Sequence, residues 1–239
     1  MTTQLDSFIT EFAALLNGKK SAIEVESVLG RSPLGTARLA LYATLVARQQ
    51  RGVIDEFYQA VKVADANSRK PRFAKWRDDF LEEHPPWHWA PARAAENFSA
   101  YLELHGAGVA LVELADFAWA RHVVLHAPAA DDASGLAVRH YTQGVRAFTL
   151  AVERDHRARG APQQQPETWL LGRSRHTHSL VALTPSVAAL VVLQVLEDRA
   201  WSPELPDVPR ADVLAEAAAL EQHGLLSSAA LVSLSDWVK

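Results

Sequence analysis

The sequence predicts an α+β fold, mostly α. It reads as an all-helical domain over residues 1–130, a strand and helix connector over 131–166, and a smaller winged-helix-like domain over 167–239. Three observations predict this. Apolar residues recur at three- and four-residue spacing through the first half of the chain, the period of an amphipathic helix. Leu136, Val138 and His140 then alternate with Ala137, Arg139 and Tyr141, the period of a strand. Finally, TWLLGRSRHTHSLVALTPS places two short apolar runs on either side of a polar, Gly-containing turn, and two helical segments follow it.

Taken in order, Leu5, Phe8, Ile9, Phe12, Leu15 and Leu16 form one helical face, stopped at Asn17-Gly18. Ser21 and Glu24 have capping-box spacing at the head of a second helix, Ser21 to Leu29. Ser32-Pro33 opens a long third helix, with Pro33 at the first helical position, where its missing donor costs nothing. Its stripe of Leu39, Tyr42, Leu45, Val46, Ile54, Phe57, Tyr58 and Val61 runs to about Val63, loosened midway by Gly52. Phe73, Trp76, Phe80 and Leu81 mark a helix ended by His84-Pro85-Pro86, and PPWHWAP is a rigid loop. Pro91 begins a helix through Phe98, Tyr101 and Leu102 that ends at Gly106. Leu111, Leu114, Ala115, Ala118, Trp119, His122 and Leu125 form the face of another. After the break at APAADDASG come the strand from Leu136 to Tyr141, a helix from Val145 to Arg157 and an exposed loop, RARGAPQQQPE. The hairpin strands are Thr168–Leu171 and Leu180–Thr184, followed by helices Ser186–Asp198 and Arg210–His223, a Gly224-Leu225-Leu226 stop, and an apolar tail from Leu231 to Val238.

The 239 residues suffice for two small cores. Net charge is −4, so no global basic field draws the chain to nucleic acid or membrane. With no cysteine there is no disulfide, thiolate metal site or Cys nucleophile. The opening residues lack the basic and apolar regions of a secretion signal, and the longest apolar run, Val187 to Leu193, falls far short of the roughly 20 residues that cross a bilayer. A cytoplasmic protein is expected.

Chemistry-bearing motifs are scarce. No GxSxG, Walker loop, GxGxxG or HExxH stands in the sequence. Among ten histidines, His122 and His126 have the i, i+4 spacing of two zinc ligands, His176 and His178 would share a strand face, and His84 and His88 bracket a Pro-Pro-Trp loop. None of these pairs has a third ligand in sight, so no metal site is assigned and no catalytic residue is named.

Two binding modes compete for the C-terminal domain. From Glu167 onward five Lys and Arg stand against nine Asp and Glu, and the helix from Arg210 to His223 carries three acids against Arg210 alone. A groove-reading helix of that charge repels phosphates, which disfavours the alternative of a DNA-binding transcriptional regulator. A hairpin edge, in contrast, accepts an extended peptide as an added strand. The residues expected to bind such a peptide are Trp169, Leu170, Leu171, Arg173, Arg175, His176, His178 and Leu180, with Arg173 and Arg175 on one face to meet an acidic peptide. The competing expectation is an edge already covered by Leu136–Tyr141 or by the tail.

The helical half carries RLALY, then FLEEHPPWHWAPARAAENFSAYLE, then LVELADFAWARHVVLHAP. This arrangement resembles the HvfC/BufC-like family, on Arg38, Leu39, Tyr42, Phe80, Leu81, Pro85, Pro86, Phe98, Tyr101, Leu102, Leu111, Leu114, Ala115, Trp119 and Ala120. The chain departs from the family at Ala118, where a Glu is usual, and over FYQAVKVADANS, so it looks like a divergent member. The C-terminal half is also similar in outline to PqqD-like recognition elements. The resemblance implies a non-catalytic partner subunit of a multinuclear non-heme iron-dependent oxidase, as in methanobactin formation. Such a subunit presents a ribosomally made precursor peptide, in complex with the oxidase. It holds no cofactor of its own, because the iron belongs to the oxidase, and needs neither nucleic acid nor membrane.

Overall fold

A computed structural model describes residues 10–16, 18–29, 35–84, 91–127, 135–155, 158–198 and 207–238. Leu5, Phe8, the Ser32-Pro33 start of the long helix, and Trp87, His88 and Trp89 of the Pro-rich loop lie outside them. The chain is mostly helical with one small antiparallel sheet. It divides into two compact units, Met1–Ala115 with Thr149–Ala161, and Asp116–Phe148 with Pro162–Lys239. The strand at 137 pairs with the hairpin and falls in the second unit.

In the first unit, residues 10–16 are helical (α1), followed by α2 (Ala22–Leu29), α3 (Thr36–Phe57), α4 (Gln59–Ala66), α5 (Phe73–Glu83), a 3-10 turn (Pro91–Ala95) and α6 (Phe98–Leu104). The capping box forms: Ser21 N–H donates to Glu24 Oε2 at 2.6 Å and Glu24 N–H to Ser21 Oγ at 3.3 Å. The long helix breaks at Tyr58, not at Gly52. There the tyrosine ring enters the core against Phe98, 4.8 Å away, and its hydroxyl donates to the Ala95 carbonyl at 2.5 Å. Phe98 is the centre of an aromatic cluster, with Phe80 at 5.1 Å and Phe73 at 6.0 Å, both edge to face. The helix predicted from Pro91 is two pieces, because Asn97 takes a left-handed conformation (φ 68°) between them. Buried Asp65 accepts the Arg72 and Phe73 amides at 2.6 and 2.7 Å, satisfying donors that the start of α5 leaves unpaired. On the surface a chain of ion pairs, Lys62–Asp55–Arg77–Asp78–Arg51, ties α3 to α4 and α5.

The predicted stripe on α3 is only partly inward. Ile54 is buried, as are Tyr58 and Val61 beyond the break, and Leu39 joins Leu15, Ala22 and Val25 in a second small cluster. Tyr42 and Leu45 are about half exposed, because this end of the helix enters that cluster through Leu39 and Ala43.

α7 (Val109–His126) is apolar nearly all round and buries Leu114, Ala115, Phe117, Ala120 and Val124; of its predicted face only Leu114 and Ala115 are fully buried, and Leu111, Ala118, Trp119, His122 and Leu125 are partly so. The second unit continues with β1 (Ala137–Tyr141), α8 (Val145–Arg154, shared with the first unit), β2 (Glu167–Arg173), β3 (Leu180–Leu183), α9 (Val187–Asp198), α10 (Arg210–Gln222) and α11 (Ser228–Val238). The tail is therefore a helix. The strands are ordered β1-β2-β3, antiparallel throughout. One sheet face, with Val138, Leu170, Val181 and Leu183, packs on α9, α10 and α11 through Val192, Val195, Val213, Leu220 and Leu234. On the other face Tyr141 meets Phe117 edge to face at 5.8 Å and donates to Asp116 at 2.8 Å, and Arg146 lies over the Trp169 ring at 4.6 Å.

Candidate functional site

Gly172 and Arg173, read as part of the turn, belong to β2. The strand extends through Gly172 because Leu225 and Leu136 press on it from the helical face. A Cβ there would lie 2.3 and 2.6 Å from their methyl groups. The turn proper starts at Ser174, whose buried hydroxyl accepts the His176 and Thr177 amides at 3.3 and 3.4 Å. His178 N–H donates to the Ser174 carbonyl at 2.8 Å, and His178 closes the loop in the left-handed region (φ 56°).

This tip is held from below by the end of α10. The Leu225 amide reaches back to the Leu220 carbonyl and the Gly224 amide to Glu221, the paired bonds of a Schellman stop, with Gly224 at φ 72°. The Gly224 carbonyl so exposed accepts the Arg175 N–H at 2.9 Å.

The two-sided pairing of β2 sorts the predicted peptide-binding residues. Trp169, Leu170, Leu171 and Arg173 are on the central strand, with β1 on one side and β3 on the other. Leu170 and Leu171 are fully buried. Trp169 Nε1 and Arg173 Nε are buried without a hydrogen-bond partner. Arg173 and Arg175 do not alternate on one face, since the strand ends between them and Arg175 is tied to α10. His176 and His178 are exposed at the tip, in a turn, so they share no strand face.

Of the predicted set only Leu180 lies on an outer strand, β3. Ser174 N–H donates to Ser179 O at 2.9 Å, which fixes the phase of the ladder. Counting on in twos, Gly172 with Val181 and Leu170 with Leu183 are the hydrogen-bonded pairs. Leu180 and Ala182 therefore turn their N–H and C=O groups away from β2, and no further strand of the described residues pairs there. Ala182 was missed in the sequence. The signal that finds it is the phase set at Ser174–Ser179, which alternation of side chains does not give.

The histidine pairs sort differently. The His122 and His126 rings stack 4.1 Å apart, and His126 Nδ1 donates to the His122 carbonyl at 2.9 Å. His84 stacks on Phe80 at 4.9 Å, while His88 lies outside the described residues. Among the described residues no group of three or more His, Cys, Asp or Glu is arranged to hold a metal, and no helix is long and apolar enough to cross a membrane. Compared with known proteins, the chain matches no family model and no curated sequence.

Proposed function

We propose that this chain is a non-catalytic partner subunit. It binds a ribosomally made precursor peptide as a fourth strand on β3 and presents it to a multinuclear non-heme iron-dependent oxidase in peptide natural-product biosynthesis. The observation that carries the reading is the outer edge of β3, where Leu180 and Ala182 offer backbone donors and acceptors at strand spacing. The order of hairpin, α9, α10 and α11 supports a winged-helix-like, PqqD-like reading of the second unit, and the sequence resemblance of the helical half to HvfC/BufC-like partners supports the same role. In this reading the iron is the oxidase's, the complex forms in the cytoplasm, and tethering raises the local peptide concentration to about millimolar for a short span. The acids Asp212, Glu216 and Glu221 on α10 continue to disfavour DNA as the ligand.

Hydrogen–deuterium exchange tests the edge. With an oxidase and its precursor peptide present, the Leu180 and Ala182 amides gain protection while those of Val181 and Leu183, already in the ladder, change little. Unaltered exchange at Leu180 and Ala182 in a peptide-bound complex refutes strand addition at β3.

A further inference from the structure

The first half of α3 carries an apolar surface that the described residues leave largely exposed. Leu41, Tyr42 and Leu45 are 60, 49 and 53 % exposed, on the order of 300 Å² of side chain in one place. Arg38 and Arg48 bracket them, both exposed, and among the described residues neither guanidinium has an ion-pair or hydrogen-bond partner. Arg38, Leu41, Leu45, Arg48 and Gly52 follow one another at steps of three, four, three and four, the spacing of a helix–helix seam. Tyr42 flanks that line, its ring stacked on Phe12 at 5.7 Å.

Gly52 is the second, independent sign. A glycine in a helix interior costs about 1 kcal/mol relative to alanine. Nothing inside the chain asks for it: Gly52 lacks a positive φ, and a Cβ there would meet no atom within 4 Å. A glycine that its own fold does not need, at the end of an exposed apolar seam, is accounted for by a backbone that approaches from outside.

We infer that an amphipathic helix of a partner protein, with acidic side chains flanking its apolar ones, docks along this seam and crosses α3 most closely at Gly52. Charge complementarity selects the occupant. No acid lies on the seam from Arg38 to Gly52, and the two guanidinium groups sit ten residues apart, about 15 Å along the axis. Partner carboxylates roughly three turns apart meet both while leucines fill the space between. A lipid surface fits less well, because α3 is held in the fold through Leu39 and Ala43 and its free arc is only about three turns long. The inference deepens the proposed function: the oxidase supplies the helix.

The test uses the full chain co-expressed with a multinuclear iron oxidase, with affinity measured by calorimetry after gel filtration. Leu41→Glu with Leu45→Glu, and separately Gly52→Leu, are expected to weaken the complex at least roughly 30-fold, the loss of a buried anchor. Leu104→Glu, at a leucine 84 % exposed on another helix, leaves it unchanged. Gly52→Ala gives a reading that a folding defect cannot mimic: it raises the thermal midpoint of the free chain while weakening the complex. Wild-type affinity in the Leu41/Leu45 and Gly52 variants overturns the inference and leaves the partner-subunit reading standing. Absence of any complex with wild type overturns both. Flotation of wild type, but not of Leu41→Glu/Leu45→Glu, with phosphatidylserine vesicles makes the occupant a membrane, and a self-dimer dissolved by the same variant makes it a second copy. Either result overturns the inference.

Discussion

Gly224 and Gly106 form a matched pair that separates backbone strain from tertiary contact. Both close a helix in the left-handed region, at φ 72° and φ 68°. Around Gly106 a Cβ would meet nothing within 4 Å, so Gly106→Ala is expected to cost only the left-handed conformation, about 1 kcal/mol. At Gly224 the same methyl would stand 2.8 Å from Ser174 Oγ and 2.9 Å from both Arg175 N and His176 Cδ2. Backbone cannot rotate away, so the hairpin tip must lift. Lifting it strains the packing and breaks the Arg175–Gly224 hydrogen bond, which by itself contributes about 1 kcal/mol. Gly224→Ala is therefore expected to cost about 3 kcal/mol in urea unfolding followed by circular dichroism, with faster exchange of the Arg175 amide. Equal losses for the two variants would refute the idea that α10 holds the tip in place.

Two further outcomes follow from the first unit. Tyr58→Phe leaves the Ala95 carbonyl without its donor and is expected to lower stability by about 1–2 kcal/mol, read as a shift of the urea midpoint; no shift means that the carbonyl finds another donor. Burial alone would raise the Asp55 and Asp78 carboxyls, but hydrogen bonds from Lys62 and Arg77, and from Arg77 and Arg51, outweigh it and hold both below their ordinary values. A carboxyl depressed on folding stabilises above its unfolded pKa, and that contribution is lost as pH falls through the folded one. Stability should therefore drop with acid below the ordinary carboxylate range, and Asp55→Asn should flatten that slope in a pH series of urea titrations. An unaltered slope removes Asp55 as its source.

Much of the fold was legible because it rests on local chemistry. The Ser21–Glu24 box, the stops at Gly18, Gly106 and Gly224, and the strand at Ala137–Tyr141 all depend on residues a few positions apart, where spacing and residue type carry the information. The break at Tyr58 was not legible, because no Gly or Pro marks it; the pull comes from Phe98 and the Ala95 carbonyl, some 37 residues away for the latter. Likewise the inward stripe of α3 was overdrawn at Tyr42 and Leu45, since periodicity reports what a helix is able to bury and not what stands opposite it.

By itself the sequence determined that the chain is mostly helical, that a hairpin follows the helical half, and that acids outnumber bases in the C-terminal part. Only the tertiary structure decided that β2 is the central strand, with β1 and β3 at the two edges. That choice depends on β1 pairing with β2 across a helix and a loop, at Ala137↔Leu171 through Tyr141↔Glu167, a non-local contact that no window of the sequence contains. With β2 enclosed, the candidate site moves from Trp169–Arg173 to Leu180 and Ala182. An antiparallel strand sends successive backbone groups to opposite sides, so the phase set at Ser174–Ser179 determines which of its amides face outward.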